Sequence, residues 1–254
     1  MSSPAPATYE PLTELQATAP TLIEGLPGIG LVASIAVDQI TRQLDLEHHG
    51  NITSDEFPPV VTFQHGMVRD LVRVYAGTDP DVLTLQSDLS LPPYSFEPLA
   101  RCLIEDVADE FSRAIFIAGV PAESESHIGE VAGVGTTEAM CEELEAAGIE
   151  LADDPGLVGG ITGAIVKECY HADVPAIVLL VRAHPYLPDP AAARKLIETA
   201  LEPLVDFSID TAELQAEADK IQQQLQQLAQ QYQQMLQEHQ GAPEEARPMP
   251  SMYQ

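Results

Sequence analysis

Two short stretches carry residue types and spacings that chemistry can use. The first is Gly25-Leu26-Pro27-Gly28-Ile29-Gly30-Leu31-Val32-Ala33. From Gly28 it fits G-x-G-x-x-G/A, between a short apolar strand signal (Thr21–Glu24) and a helical pattern. In that setting glycines let the backbone approach a pyrophosphate, and helix N-terminal amides receive its charge. Glu47 lies near the spacing, about 20 residues on, of the acid that meets a ribose hydroxyl. Pro27 inside the turn, the lack of a clean strand before Glu47 and a very acidic composition point the other way. On that reading the small residues serve close strand–helix packing. Gly25, Gly28 and Gly30 are a weak candidate loop for a nucleotide or small ligand, and no cofactor is assigned.

The second stretch is Met252-Tyr253-Gln254. A terminal carboxylate on a flexible tether can enter a pocket and pair with a lysine. The penultimate Tyr adds a flat apolar face and one hydroxyl at low entropic cost. The Met before it fills an apolar groove. One such tail binds weakly, and an assembly presenting several gains avidity.

Other chemistry-bearing residues form no constellation. His48 and His49 are adjacent, so they cannot share a helix face as metal-binding pairs do. His127, His171 and His184 fall in or beside loops. Asp153-Asp154-Pro155-Gly156 reads as a turn. No nucleophile–base pair is visible. The expectation is a non-enzymatic protein with neither catalytic residues nor a metal site.

Composition narrows the partners. The 254 residues include 40 Asp or Glu against 11 Lys or Arg, a formal charge of −29. That disfavours binding to nucleic-acid phosphates and to anionic membranes. Only Lys167, Lys195 and Lys220 are lysines, and the acids are spread along the chain, as suits a surface solvated at high salt. Cys102, Cys141 and Cys169 are odd in number and without CxxC spacing, so reduced, buried thiols are expected. Neither a signal peptide nor an apolar run of about 18–20 residues is apparent. A cytoplasmic location is expected.

These residues need elements to position them. Ala114–Val120 and Ala176–Val181 are continuous apolar runs, as buried parallel strands are. Helical patterns precede them, with Leu99, Leu103, Ile104 and Val107 sharing a face between Phe96 and Phe111. Further helices are expected over about 137–147, after the lead-in Gly159–Ala164 to near Tyr170, and over about 191–205. Val60–Phe63 and Leu71–Tyr75 flank His65-Gly66 as a hairpin signal, and Val82–Leu85 is another strand. The 60–85 strands are expected to add antiparallel edges, and residues 1–20 to form a surface segment. The fold class is α/β, a three-layer α/β/α sandwich over 21–210.

From Thr211 the pattern changes. Leu214, Ala218, Ile221, Leu225, Leu228, Tyr232 and Met235 step by 4, 3, 4, 3, 4, 3, an a/d seam for oligomer or helix packing. Its Gln-rich flanks set neither partner number nor direction. A heptad helix is therefore expected over 211–240, a coiled-coil-like extension. Gly241-Ala242-Pro243 ends it, and 241–254 is a flexible tail whose eleven residues to 251 span at most about 36–40 Å.

Glu24–Ala33, Gly159-Gly160-Ile161-Thr162-Gly163 with Val174-Pro175-Ala176, and Ala183–Ala193 (AHPYLPDPAAA) together resemble the proteasome assembly chaperone family, of the archaeal PbaA/PbaB type. The resemblance covers about residues 10–240. It implies a phosphorylase/hydrolase-like sandwich, a homo-oligomer and a role beside the 20S proteasome, either in assembly or as an activator. Members that engage the proteasome carry a hydrophobic-Tyr-any tail that enters pockets between α subunits. Met252, Tyr253 and Gln254 match that motif.

Overall fold

The computed structural model describes residues 6–224 and 227. The chain divides into two units, 1–215 and 216–254. In chain order the elements of the first are β1 (Ala7–Pro11), β2 (Thr21–Gly25), α1 (Val32–Gln43), β3 (Glu47–Ser54), β4 (Thr62–Gln64), β5 (Met67–Arg69), β6 (Val72–Thr78), β7 (Asp81–Ser87), α2 (Phe96–Cys102), β8 (Arg113–Pro121), β9 (Val131–Gly135), α3 (Glu138–Ala146), α4 (Gly160–His171), β10 (Ala176–Ala183), α5 (Pro190–Leu196) and α6 (Glu202–Val205). Residues 216–224 of the second unit are helical.

Eight strands form one mixed sheet in the order β1-β3-β6-β7-β2-β8-β10-β9. Its centre is parallel, from β7 through β2 and β8 to β10. The outer pairs are antiparallel.

Alternation along a strand sends neighbouring side chains to opposite faces. Ile23, Ile115, Ile177 and Leu179 meet Val37 and Ile40 of α1 and Leu196 of α5 in one apolar cluster. Leu22, Ala114, Phe116 and Val178 meet Leu99 of α2 and Ile165 and Cys169 of α4 in a second. Helices therefore cover both faces. That is why β8 and β10 read as unbroken apolar runs.

Within the expected surface segment, Ala7–Pro11 pairs with β3 as an edge strand. Tyr9 anchors it, its hydroxyl donating to Glu110 Oε2 at 3.0 Å. Glu47 is the first residue of β3, and no strand lies between α1 and Glu47, as expected. EHHGNITS lacks an apolar alternation because its register breaks between His48 and Gly50. A Cβ on Gly50 would stand 2.6 Å from the Tyr9 ring, so the β1 crossing requires glycine there.

The hairpin at His65-Gly66 exists, but its strands are β4 and β5. Val72–Tyr75 belongs to β6, which turns at 79–80 into β7. The sheet's edges are β1 and β9 rather than the 60–85 strands. His65 (φ 51°) and Gly66 (φ 77°) both have positive φ, the two-residue geometry that matches strand twist.

Candidate functional site

At the C-terminal ends of β2, β8 and β10, buried carboxylates tie several segments together. Parallel α/β sheets commonly bind ligands at this end. The chain leaves β2 at Gly25, makes a single turn over Ile29–Leu31 and enters α1. Glu24, the next-to-last residue of β2, is fully buried. Its Oε1 accepts from the Leu26 amide at 2.9 Å, and its Oε2 accepts from the Ile117 amide of β8 at 3.2 Å. Thr162 of α4 donates its hydroxyl to the same Oε2 at 3.5 Å. One carboxylate thus joins β2, β8 and α4. Burial raises its pKa from 4.5 to about 7, against the lowering effect of these donors.

The glycines act sterically. A Cβ on Gly25 would lie 2.6 Å from Val37 Cβ, so its absence lets α1 close on β2. Gly30 has φ +66°, and a Cβ there would meet Ala183 Cβ of β10 at 2.8 Å. Gly28 is extended (φ −138°), with open space about it. The Leu26 amide at the start of the turn is held by Glu24. The geometry of Gly25 and Gly30 is thus accounted for by packing.

The loop after β10 completes this end. Asp189 caps α5, its Oδ1 accepting from the Ala192 amide at 2.9 Å. Its Oδ2 accepts from the His184 amide at 2.8 Å, and its own amide donates to the Gly30 carbonyl at 2.8 Å. His184 Nδ1 accepts from the Tyr186 and Leu187 amides at 3.2 and 3.1 Å, which folds the proline-rich turn around the ring. Tyr186 stands at its tip, 89% exposed. The segments 24–33, 159–163 and 183–193 are far apart in sequence, yet all three converge on Glu24 and Gly30.

No nucleophile–base pair is assembled here. Among the described residues, no group of three His, Cys, Asp or Glu is placed to hold a metal ion. None of their helices is long and apolar enough to cross a membrane. Cys102 and Cys169 are buried, and burial pushes both thiols up to about 12. Cys141 is half-buried.

Of the heptad positions, Leu214 is buried in the cluster with α1 and α5, and Ala218 and Ile221 are half-buried. Leu225, Leu228, Tyr232 and Met235 lie outside the described residues, as do Met252, Tyr253 and Gln254. Glu24, Thr162 and Asp189 were not singled out from sequence. The available signals were a carboxylate ending an apolar strand and the place of all three in the segments that carry the resemblance.

Residues 22–229 match the PAC2 family. The chain belongs to the PAC2 family. The uncharacterized protein MJ0106 of Methanocaldococcus jannaschii is 30% identical over 202 residues, 80% of this chain and 82% of that protein. Pyrococcus furiosus PbaA, an archaeal homolog of proteasome-assembly chaperone, superposes with a TM-score of 0.78 at 25% identity, over 92% of this chain and 96% of that one. P. furiosus PbaB, an archaeal proteasome activator, gives 0.79 at 21% identity, over 88% and 99%. The PAC2 fold is thus a mixed α/β fold with a large central sheet, and the Glu24 tie lies within the matched region.

Proposed function

We propose that this PAC2 protein is a non-enzymatic, homo-oligomeric proteasome factor. It docks its C-terminal tails into pockets between the α subunits of the 20S particle. One observation carries the reading: the likeness to PbaA spans nearly the whole of both chains. The terminal Met252-Tyr253-Gln254 supplies the docking chemistry, with the carboxylate as anion and Tyr253 as anchor. The heptad residues from Leu214 to Met235 are proposed to form a coiled-coil-like extension behind the tether. The body is proposed to be a phosphorylase/hydrolase-like three-layer sandwich, and the charge of −29 an adaptation to a salt-rich cytoplasm.

The test is co-sedimentation with 20S particles at high salt. Deleting Met252–Gln254 should abolish it, and Tyr253→Ala should weaken binding by about 2 kcal/mol or more, as loss of an aromatic anchor does. Equal sedimentation of the truncated chain would sink the docking mechanism.

A further inference from the structure

The first unit ends in an acidic segment. Residues 206–215, after α6, include Asp206, Asp210 and Glu213 and no Lys or Arg, and Glu198 and Glu202 stand just before them. In a chain of net charge −29, cations to hold such a segment are scarce. Arg42 of α1 is one. It pairs with Asp38 at 3.0 Å and reaches Glu213 only at 3.8 Å, with all three side chains more than half exposed. Exposed pairs of this kind contribute little and are screened by salt.

The segment is held instead by neutral groups. Phe207 and Leu214 are buried in the apolar cluster with α1 and α5. Gln39 and Gln43, one helical turn apart on α1, both donate their side-chain amides to the Asp210 carbonyl, Gln39 at 3.0 Å. The Asp210 amide donates back to Gln43 Oε1 at 2.8 Å. Gln39 is 1% exposed and uses both ends of its amide, since its Oε1 accepts from Arg42 Nη2 at 2.8 Å. Asp210 Oδ1 accepts from the Ala212 amide at 2.8 Å, where a helix opens. On either side, the Ile209 amide donates to Glu202 Oε1 at 2.9 Å and the Gln215 amide to the Thr211 carbonyl at 3.1 Å.

We infer that Gln39 and Gln43 are positioning residues: their amides clamp 209–215 to α1 and anchor the root of the C-terminal extension against salt. The choice of group is the reason. A glutamine amide offers a donor and an acceptor at any ionic strength, and burying it costs far less than burying a charge. Arginines or lysines in these places would hold the acidic segment by an attraction that salt screens. The Debye length falls from about 10 Å at 0.1 M to about 3 Å at 1 M. Repulsion among the five acids fades over the same range, so the clamped root is an anchor that salt leaves in place or tightens. Every contact in the clamp lies within residues 1–215, so its test needs no proteasome.

The test is amide exchange on the full chain, read by NMR in about 0.1 and about 1 M KCl. Gln43→Ala is the main variant, because Gln43 is exposed and alanine favours a helix. Unfolding curves would verify that the variant is folded. Asp210 loses its own acceptor in that variant, so the decisive amides are Ile209 and Gln215, whose acceptors remain. Both should exchange about tenfold faster at either salt concentration, as release of the whole segment requires. In the native chain their protection should hold or rise with salt. Arg42→Ala should change it by less than about twofold at 1 M, where its ion pairs are screened. Acceleration confined to Asp210, native protection that falls with salt, or an Arg42→Ala effect at 1 M as large as that of Gln43→Ala would overturn the inference.

Discussion

The Glu24 tie and the β4–β5 hairpin are opposite ways of using a short segment. Around Glu24, a buried carboxyl gathers donors from the turn after β2, from β8 and from α4, and Gly25 and Gly30 allow close approach of neighbouring elements. In the hairpin, a turn of the right hand presents apolar side chains to solvent and gathers nothing from the sheet beside it. The first region spends its residues on the stability of the fold. The second leaves them exposed to solvent. The difference shows that apolar content alone does not locate a core in this chain, because Val60, Val61 and Phe63 are as apolar as the strands of the centre.

The largest effect expected from breaking this contrast is at Gly25. Gly25→Leu would drive a side chain into Val37, where even a Cβ approaches within 2.6 Å. A loss of about 3 kcal/mol or more is expected, at the upper end for overpacking. Urea unfolding would measure it, and a loss below about 1 kcal/mol would mean that α1 moves freely over β2.

A smaller effect is expected at Glu24, and its sign depends on pH. The folded-state pKa is raised, from 4.5 to about 7. The folded protein therefore holds a proton that the unfolded chain releases between those values. The group's contribution is most favourable below about pH 4.5 and falls as pH rises through about 7. Glu24→Gln cannot titrate, and it loses one acceptor, at a cost of about 1–3 kcal/mol. The stability gap between native and variant chains should therefore shrink from pH 5 to pH 8. A constant gap across that range would show that Glu24 is ionised throughout.

The smallest stability effect belongs to the hairpin. Phe63→Ser should change unfolding free energy by no more than about 0.5 kcal/mol, as exposed positions do. A loss of 2 kcal/mol in a dilute, monomeric sample would place Phe63 in the core of its own chain and erase the contrast.

Legibility followed sequence distance. The strands β2, β8 and β10 and the helices α1, α3 and α4 stood out because their signals are local periodicities. β1 was hidden because a five-residue segment beside Pro6 and Pro11 becomes a strand only through pairing with β3, some forty residues away. β3 was hidden because its register shift at His48/Gly50 scrambles the alternation. The Gly-rich turn was found in the right place, but its role was left open between ligand and packing. Thr162 and Ile117, which engage Glu24, are 138 and 93 residues away in sequence.

The sequence by itself determined the acidic composition, the buried parallel strands and the heptad spacing, since each depends on composition or on neighbours within a few residues. Only the tertiary structure decided that Glu24 is the buried tie, that Gly25 and Gly30 are sites of close approach, and that the hairpin's apolar residues face outward. Burial and steric contact are properties of pairs of segments. No single stretch of chain holds both members of such a pair.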